Sequence, residues 1–172
     1  MKRIPRLLVA LSLCVITGCG GADRGTVAIG APVPAYASRS VEGDTATLTD
    51  RQGKVVLLNI WATWCKPCRE EIPALETLFQ RHRADGFEVI GVSIDAPSEA
   101  ERLRPFVTDL GASYTLWHDP DDRISSTFLA LGVPASYLID REGVLRWRHM
   151  GPVRADDPTL TTALTTALAS AP

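Results

Sequence analysis

Residues 54–61, Lys54-Val55-Val56-Leu57-Leu58-Asn59-Ile60-Trp61, form a nearly unbroken apolar run. A run of that length and composition predicts a central strand buried on both faces. A second run, Phe87-Glu88-Val89-Ile90-Gly91-Val92-Ser93-Ile94, has the same character. Between them Ile72, Leu75, Leu78 and Phe79 recur on one stripe of a helix from about Pro67 to Arg81, and Gly86 ends that unit. The three segments predict a β-α-β unit of about forty residues, whose strands are parallel and need cover above and below. Downstream, Pro97-Ser98 opens a second helix with Leu103, Phe106, Val107 and Leu110 facing inward, stopped at Gly111. A short strand over Tyr114–Trp117 and a short helix over Ile124–Leu131 follow. Ser136–Ile139 and Val144–Arg148 then flank Asp140-Arg141-Glu142-Gly143 as a hairpin. Asp156-Asp157-Pro158 opens a last helix carrying Leu160, Leu164 and Leu168. The expected architecture is α/β, a central mixed sheet with helices on both faces.

The beginning of the chain has a different character. Met1-Lys2-Arg3-Ile4-Pro5-Arg6 precedes an apolar run from Leu7 to Ile16, shorter than the roughly 20 residues a membrane span needs. This reads as a secretory leader. Ile16-Thr17-Gly18-Cys19 resembles a bacterial lipobox, which implies a leader over 1–18, cleavage before Cys19 and lipid attached there. Residues 19–34, rich in Gly, Ala and Pro, read as a flexible tether, leaving 35–172 as one domain. Lys2, Arg3 and Arg6 leave with the leader, so 18 Lys and Arg become 15 against 20 acidic residues, a net charge near −5. Nothing in that balance suits nucleic acid. The expected location is the cell envelope, with the domain lipid-anchored and facing the periplasm or another extracytoplasmic space.

With Cys14 in the leader and Cys19 acylated, Cys65 and Cys68 are the two cysteines left for chemistry. Haem attachment requires a histidine after the second cysteine, and Arg69 stands there. Structural zinc requires four ligands, and His82, His118 and His149 fall singly on different predicted elements, so no metal is expected. A purely structural disulfide across two residues would constrain the unfolded chain little. A redox dithiol where a buried strand meets a helix is the remaining reading. Cys65 falls near the helix N-cap, where free backbone N–H groups and the helix dipole favour a thiolate. Cys65 is thus the expected attacking sulfur and Cys68, one turn in, the resolving one. Lys66 adds a positive charge beside them.

The stretch Trp61-Ala62-Thr63-Trp64-Cys65-Lys66-Pro67-Cys68, with Gly53-Lys54-Val55-Val56 before it, Gly132-Val133-Pro134 after it and Ile139-Asp140-Arg141-Glu142-Gly143 at the hairpin, resembles the thioredoxin superfamily. The closest likeness is to the membrane-tethered TlpA/ResA-like thiol-disulfide oxidoreductases, from about Gly30 to the last helix. Asn59 stands where thioredoxin has a buried aspartate. Glu71 matches an acidic position of the TlpA/ResA branch. Three helical steps put it about 60° around from Cys68, whereas Glu70, about 200° around, faces away. A carboxyl there would raise the thiol pKa and could relay a proton. The resemblance further implies a cis Val133–Pro134 bond against the dithiol, with Trp64, Val133 and Pro134 contacting substrate. It implies a cofactor-free monomeric reductase of protein disulfides, often those of apocytochrome c, fed by a membrane electron donor. Two other readings are a peroxide-reducing relative, whose P-x-x-x-T/S-x-x-C setting is absent here, and a redox-inert tethered binding module, against which the intact C-x-x-C speaks.

Overall fold

A computed structural model describes residues 27–170. The expected leader and Cys19 lie outside the described residues. The elements in chain order are β1 (Ala37–Ser40), β2 (Thr45–Thr47), β3 (Val55–Trp61), α1 (Lys66–His82), β4 (Phe87–Ser93), α2 (Ala100–Asp109), β5 (Thr115–His118), α3 (Arg123–Phe128), β6 (Ala135–Ile139), β7 (Leu145–Met150) and α4 (Pro158–Ala169). They build one seven-stranded sheet in the order β2-β1-β5-β4-β3-β6-β7. β3 and β4 pair in parallel, as do β4 and β5, while β6 and β7 add antiparallel on the other side.

Every residue of β3 is buried, as the apolar run requires. Alternation along the strand divides it between two cores. Val55, Leu57 and Trp61 pack with Ile72, Leu75 and Leu78 of α1, Leu103 and Val107 of α2, and Leu160 and Leu164 of α4. Val56, Leu58 and Ile60 pack on the other face with Ile124 and Phe128 of α3. Asn59 shares the parity of Leu57 and Trp61, so a buried polar side chain is carried to the α1 face.

Two expectations change. Residues 27–34, read as the end of a tether, lie along the domain. Gly30 N donates to Leu145 O at 2.8 Å, Leu145 N to Ala31 O at 2.9 Å and Val33 N to Gly143 O at 2.9 Å, and Val27 is buried. Gly, Ala and Pro carry no hydrophobic period, yet their backbone groups cap the free edge of the β6–β7 hairpin. The short helix expected to reach Leu131 ends at Phe128, because Leu129 takes a left-handed conformation, φ 55°, and turns the chain out toward solvent.

Candidate active site

The dithiol sits where β3 leaves the sheet. Cys65 is the N-cap of α1 in an extended conformation, and its sulfur accepts the backbone N–H of Cys68 at 3.2 Å. A sulfur thus takes the place of the usual cap oxygen and receives a donor that would otherwise be free, a contact that favours the thiolate over the thiol. Pro67 occupies the first turn, where its missing N–H removes no helical bond. Cys65 and Cys68 form a disulfide. Cys68 is wholly buried and Cys65 nearly so, leaving Cys65 the more accessible of the two residues. Lys66, expected to push Cys65 toward thiolate, lies 3.8 Å from exposed Glu70, which offsets part of its charge.

Glu71 falls on the buried stripe of α1 that also holds Cys68, Ile72, Leu75 and Leu78. Spaced i,i+3, Cys68 and Glu71 are neighbours on the helix surface. A carboxyl in that stripe has lost its water, and two donors replace it. Asn59 Nδ2 donates to Oε1 at 2.8 Å, and Val153 N donates to Oε2 at 2.7 Å. Burial pushes the Glu71 pKa up to about 7, while the Val153 and Asn59 hydrogen bonds pull it partly back. The site therefore holds an acid that exchanges its proton near neutrality, one turn from the resolving sulfur.

β6 runs beside β3 in the sheet. Asn59 pairs with Ser136 and Ile60 with Ala135, so continuing the antiparallel register puts Pro134 opposite Trp61 and Val133 opposite Ala62. The Val133–Pro134 peptide is cis. Pro134 O accepts from Gly151 N at 2.9 Å, which joins the β7–α4 loop to the same edge. Trp64 is 67% exposed beside Cys65, and Leu131, in the segment leading to Val133, is 95% exposed.

Several contributors were not singled out in the sequence. Ser136 and Val153 reach Glu71 only through Asn59 and the β7–α4 loop, 77 and 82 residues from their partners. Asp95, just past β4, is buried and binds Thr63 two residues before Cys65. Its one sequence signal was an acid directly following a buried strand, at the strand-end edge where α/β sheets place their chemistry.

A helix-capping C-x-x-C disulfide at the end of a central strand, with a cis-proline just before the neighbouring strand β6, defines a thiol-disulfide oxidoreductase of thioredoxin-like fold. The chain belongs to the AhpC/TSA family, whose model matches residues 29–148. It is 34% identical over 123 residues to the thioredoxin-like protein YneN of Bacillus subtilis (strain 168), spanning 71% of each chain. It is 31% identical over 151 residues to the thiol-disulfide oxidoreductase ResA of Bacillus thuringiensis (strain Al Hakam), spanning 83% of this chain and 86% of that one. Among solved structures, a Chlorobium tepidum protein assigned as a thiol:disulfide interchange protein of the DsbE type superposes with a TM-score of 0.74 at 31% identity, over 83% of this chain and 99% of that one.

Proposed function

We propose that this oxidoreductase works as a reductase of protein disulfides outside the cytoplasm, held to a membrane by lipid on Cys19. The observation that carries the direction is Glu71, a buried carboxyl ionising near neutrality beside Cys68. Negative charge there opposes a thiolate in the reduced pair, which makes that pair a stronger electron donor.

The Cys65 thiolate attacks one sulfur of a substrate disulfide. A mixed disulfide forms and the other substrate sulfur leaves as a thiolate, taking up a proton. Cys68, losing its proton toward Glu71, then attacks Cys65 Sγ and expels the second substrate thiolate. The substrate gains two electrons, and the enzyme ends as the Cys65–Cys68 disulfide, which a dithiol donor in the membrane reduces again. Trp64, next to Cys65 in the chain, and Val133 and Pro134, at the cis bond before β6, are assigned to substrate contact; Val133 packs against the core cluster that holds both cysteines. The TlpA/ResA resemblance points to haem-attachment cysteines of apocytochrome c as one substrate.

Trapping tests this reading. In cells carrying Cys68→Ser, Cys65 should remain disulfide-linked to its substrates, and the native pair should be largely reduced after acid quenching. A fully oxidised native pair in growing cells would contradict the reductive direction. Cys19→Ser should move the protein from the detergent phase to the soluble fraction, or block its processing; unchanged partitioning would contradict the anchor.

A further inference from the structure

We infer that Asp95 is a positioning residue for thiol exchange, acting through Thr63 on the turn that carries Trp64 and Cys65. Asp95 lies two residues past β4 and is 1% exposed. It is absent from the ion pairs among the described residues, so its carboxylate is held by neutral donors alone. Both of its oxygens accept from Thr63 N, at 3.2 and 3.0 Å. Thr63 Oγ1 donates to Oδ1 at 2.6 Å and Ser93 Oγ to Oδ2 at 2.7 Å. Its backbone is fixed as well, with Asp95 N donating to Ser93 Oγ at 3.1 Å and His118 Nε2 lying 2.9 Å from Asp95 O.

Desolvating a carboxylate without a cation is costly, and these contacts offset the cost only as a complete set. The set has a geometric consequence. Trp61 pairs with Ser93 at the end of the parallel β3–β4 ladder, and Ile94 N donates to Trp61 O at 3.0 Å. The Thr63–Asp95 contact extends that ladder two residues by side chain, into a stretch where β3 has already ended. Cys65 N closes the turn on Ala62 O at 3.2 Å, so Thr63 is held from the β4 side while the turn around it places Cys65 at the helix cap. Attack on a disulfide needs near-linear alignment of three sulfurs, and a loose turn would lose it. The Asp95 charge, two residues from Cys65 along the Thr63 contact, also opposes the thiolate.

The inference rests on thiol exchange itself and is independent of the reductive direction. The test compares native protein with Asp95→Ala, Asp95→Asn and Thr63→Val in dithiothreitol-driven insulin reduction and in iodoacetamide titration of Cys65. Asp95→Ala should lower kcat/KM by roughly 10- to 100-fold and lower the Cys65 thiol pKa. Asp95→Asn retains an acceptor for Thr63 N but carries no charge, so it should recover most of the rate while keeping the lowered thiol pKa. Thr63→Val keeps the N–H contact but loses the hydroxyl, and should lower the rate several-fold in a folded protein. If Asp95→Ala does not fold, Asp95→Asn and Thr63→Val decide the matter. Folded variants with native kcat/KM and native thiol pKa would overturn the inference, as would variants that lose only thermal stability. Native protein that reduces no insulin would instead count against the assigned activity.

Discussion

The side-chain amide of Asn59 donates to Glu71 Oε1 at 2.8 Å and to Ser136 Oγ at 3.0 Å, while its own Oδ1, buried, has no partner among the described residues. Both protons of the amide are thus committed to stabilising an ionised Glu71 and fixing β3 to β6. Asn59→Ala removes one of the two donors that pull the Glu71 pKa down. Its carboxyl should then titrate above about 7 in a carbon-13 NMR pH series. The protein should also lose about 1.5–3 kcal/mol of stability, the range for a hydrogen bond to a charged group. An unmoved Glu71 titration would break the link.

Glu71 also gives stability a pH dependence. Its pKa is raised from 4.5 to about 7 in the folded protein. Between those values the folded state holds a proton that the unfolded state has released, so stability falls as pH rises through that window. The full shift corresponds to about 3 kcal/mol. Glu71→Gln should remove this slope. The new amide can be accommodated by rotating Asn59 to present its unpartnered Oδ1. Chemical unfolding of the oxidised proteins at pH 4.5 and 8 should show native protein losing about 3 kcal/mol relative to the variant. Equal slopes would remove the buried charge from the account.

Gly91 tests the packing beneath the site. A Cβ added there would lie 3.0 Å from Trp61 Nε1, 3.1 Å from Leu116 Cδ2 and 3.2 Å from Tyr114 Cε2. These contacts are tight on every side, and Trp61 is stacked on Phe106. Gly91→Ala should destabilise by about 1–3 kcal/mol through overpacking, read as a lower denaturation midpoint with unchanged steepness.

How much of this was legible in the sequence follows from how local each feature is. β3, α1 and β4 each announce themselves by apolar period within one segment, and the C-x-x-C and Glu71 lie inside α1 or at its cap. The β1–β2 hairpin went unread because Ala37–Ser40 and Thr45–Thr47 are short strands of mixed character with one buried residue each. Ser136 and Val153 carry no local signal toward the dithiol, and Asp95 only that of an acid after a buried strand, since the sheet order alone brings β4, β6 and the β7–α4 loop to one edge. The Gly30–Val33 backbone bonds to the hairpin are equally non-local.

The exposed apolar side chains at that edge predict a preference for protein substrates. Trp64, next to Cys65 in the chain, and Leu131, two residues before the cis Val133–Pro134 bond, lie bare to solvent. Covering part of a leucine or tryptophan side chain is worth roughly 1.5–3 kcal/mol at most. Leu131→Ser and Trp64→Ala should therefore lower kcat/KM on a protein disulfide by about tenfold. Exchange with glutathione, too small to span that surface, should stay within about twofold. Equal losses on both substrates would mean that these residues act on the dithiol itself.

The reductive assignment depends on the poise of the Cys65–Cys68 pair, and equilibration against a dithiothreitol or glutathione series measures it directly. Cap and helix dipole favour the thiolate, while the Glu71 carboxylate on the buried stripe beside Cys68 opposes it and is screened far less than Lys66, which Glu70 partly neutralises. The native potential should fall nearer that of thioredoxin, about −270 mV, than that of DsbA, about −120 mV. Glu71→Gln should shift it toward the oxidising end. A native potential close to that of DsbA, unmoved by Glu71→Gln, would contradict the account and make this protein an oxidant of thiols.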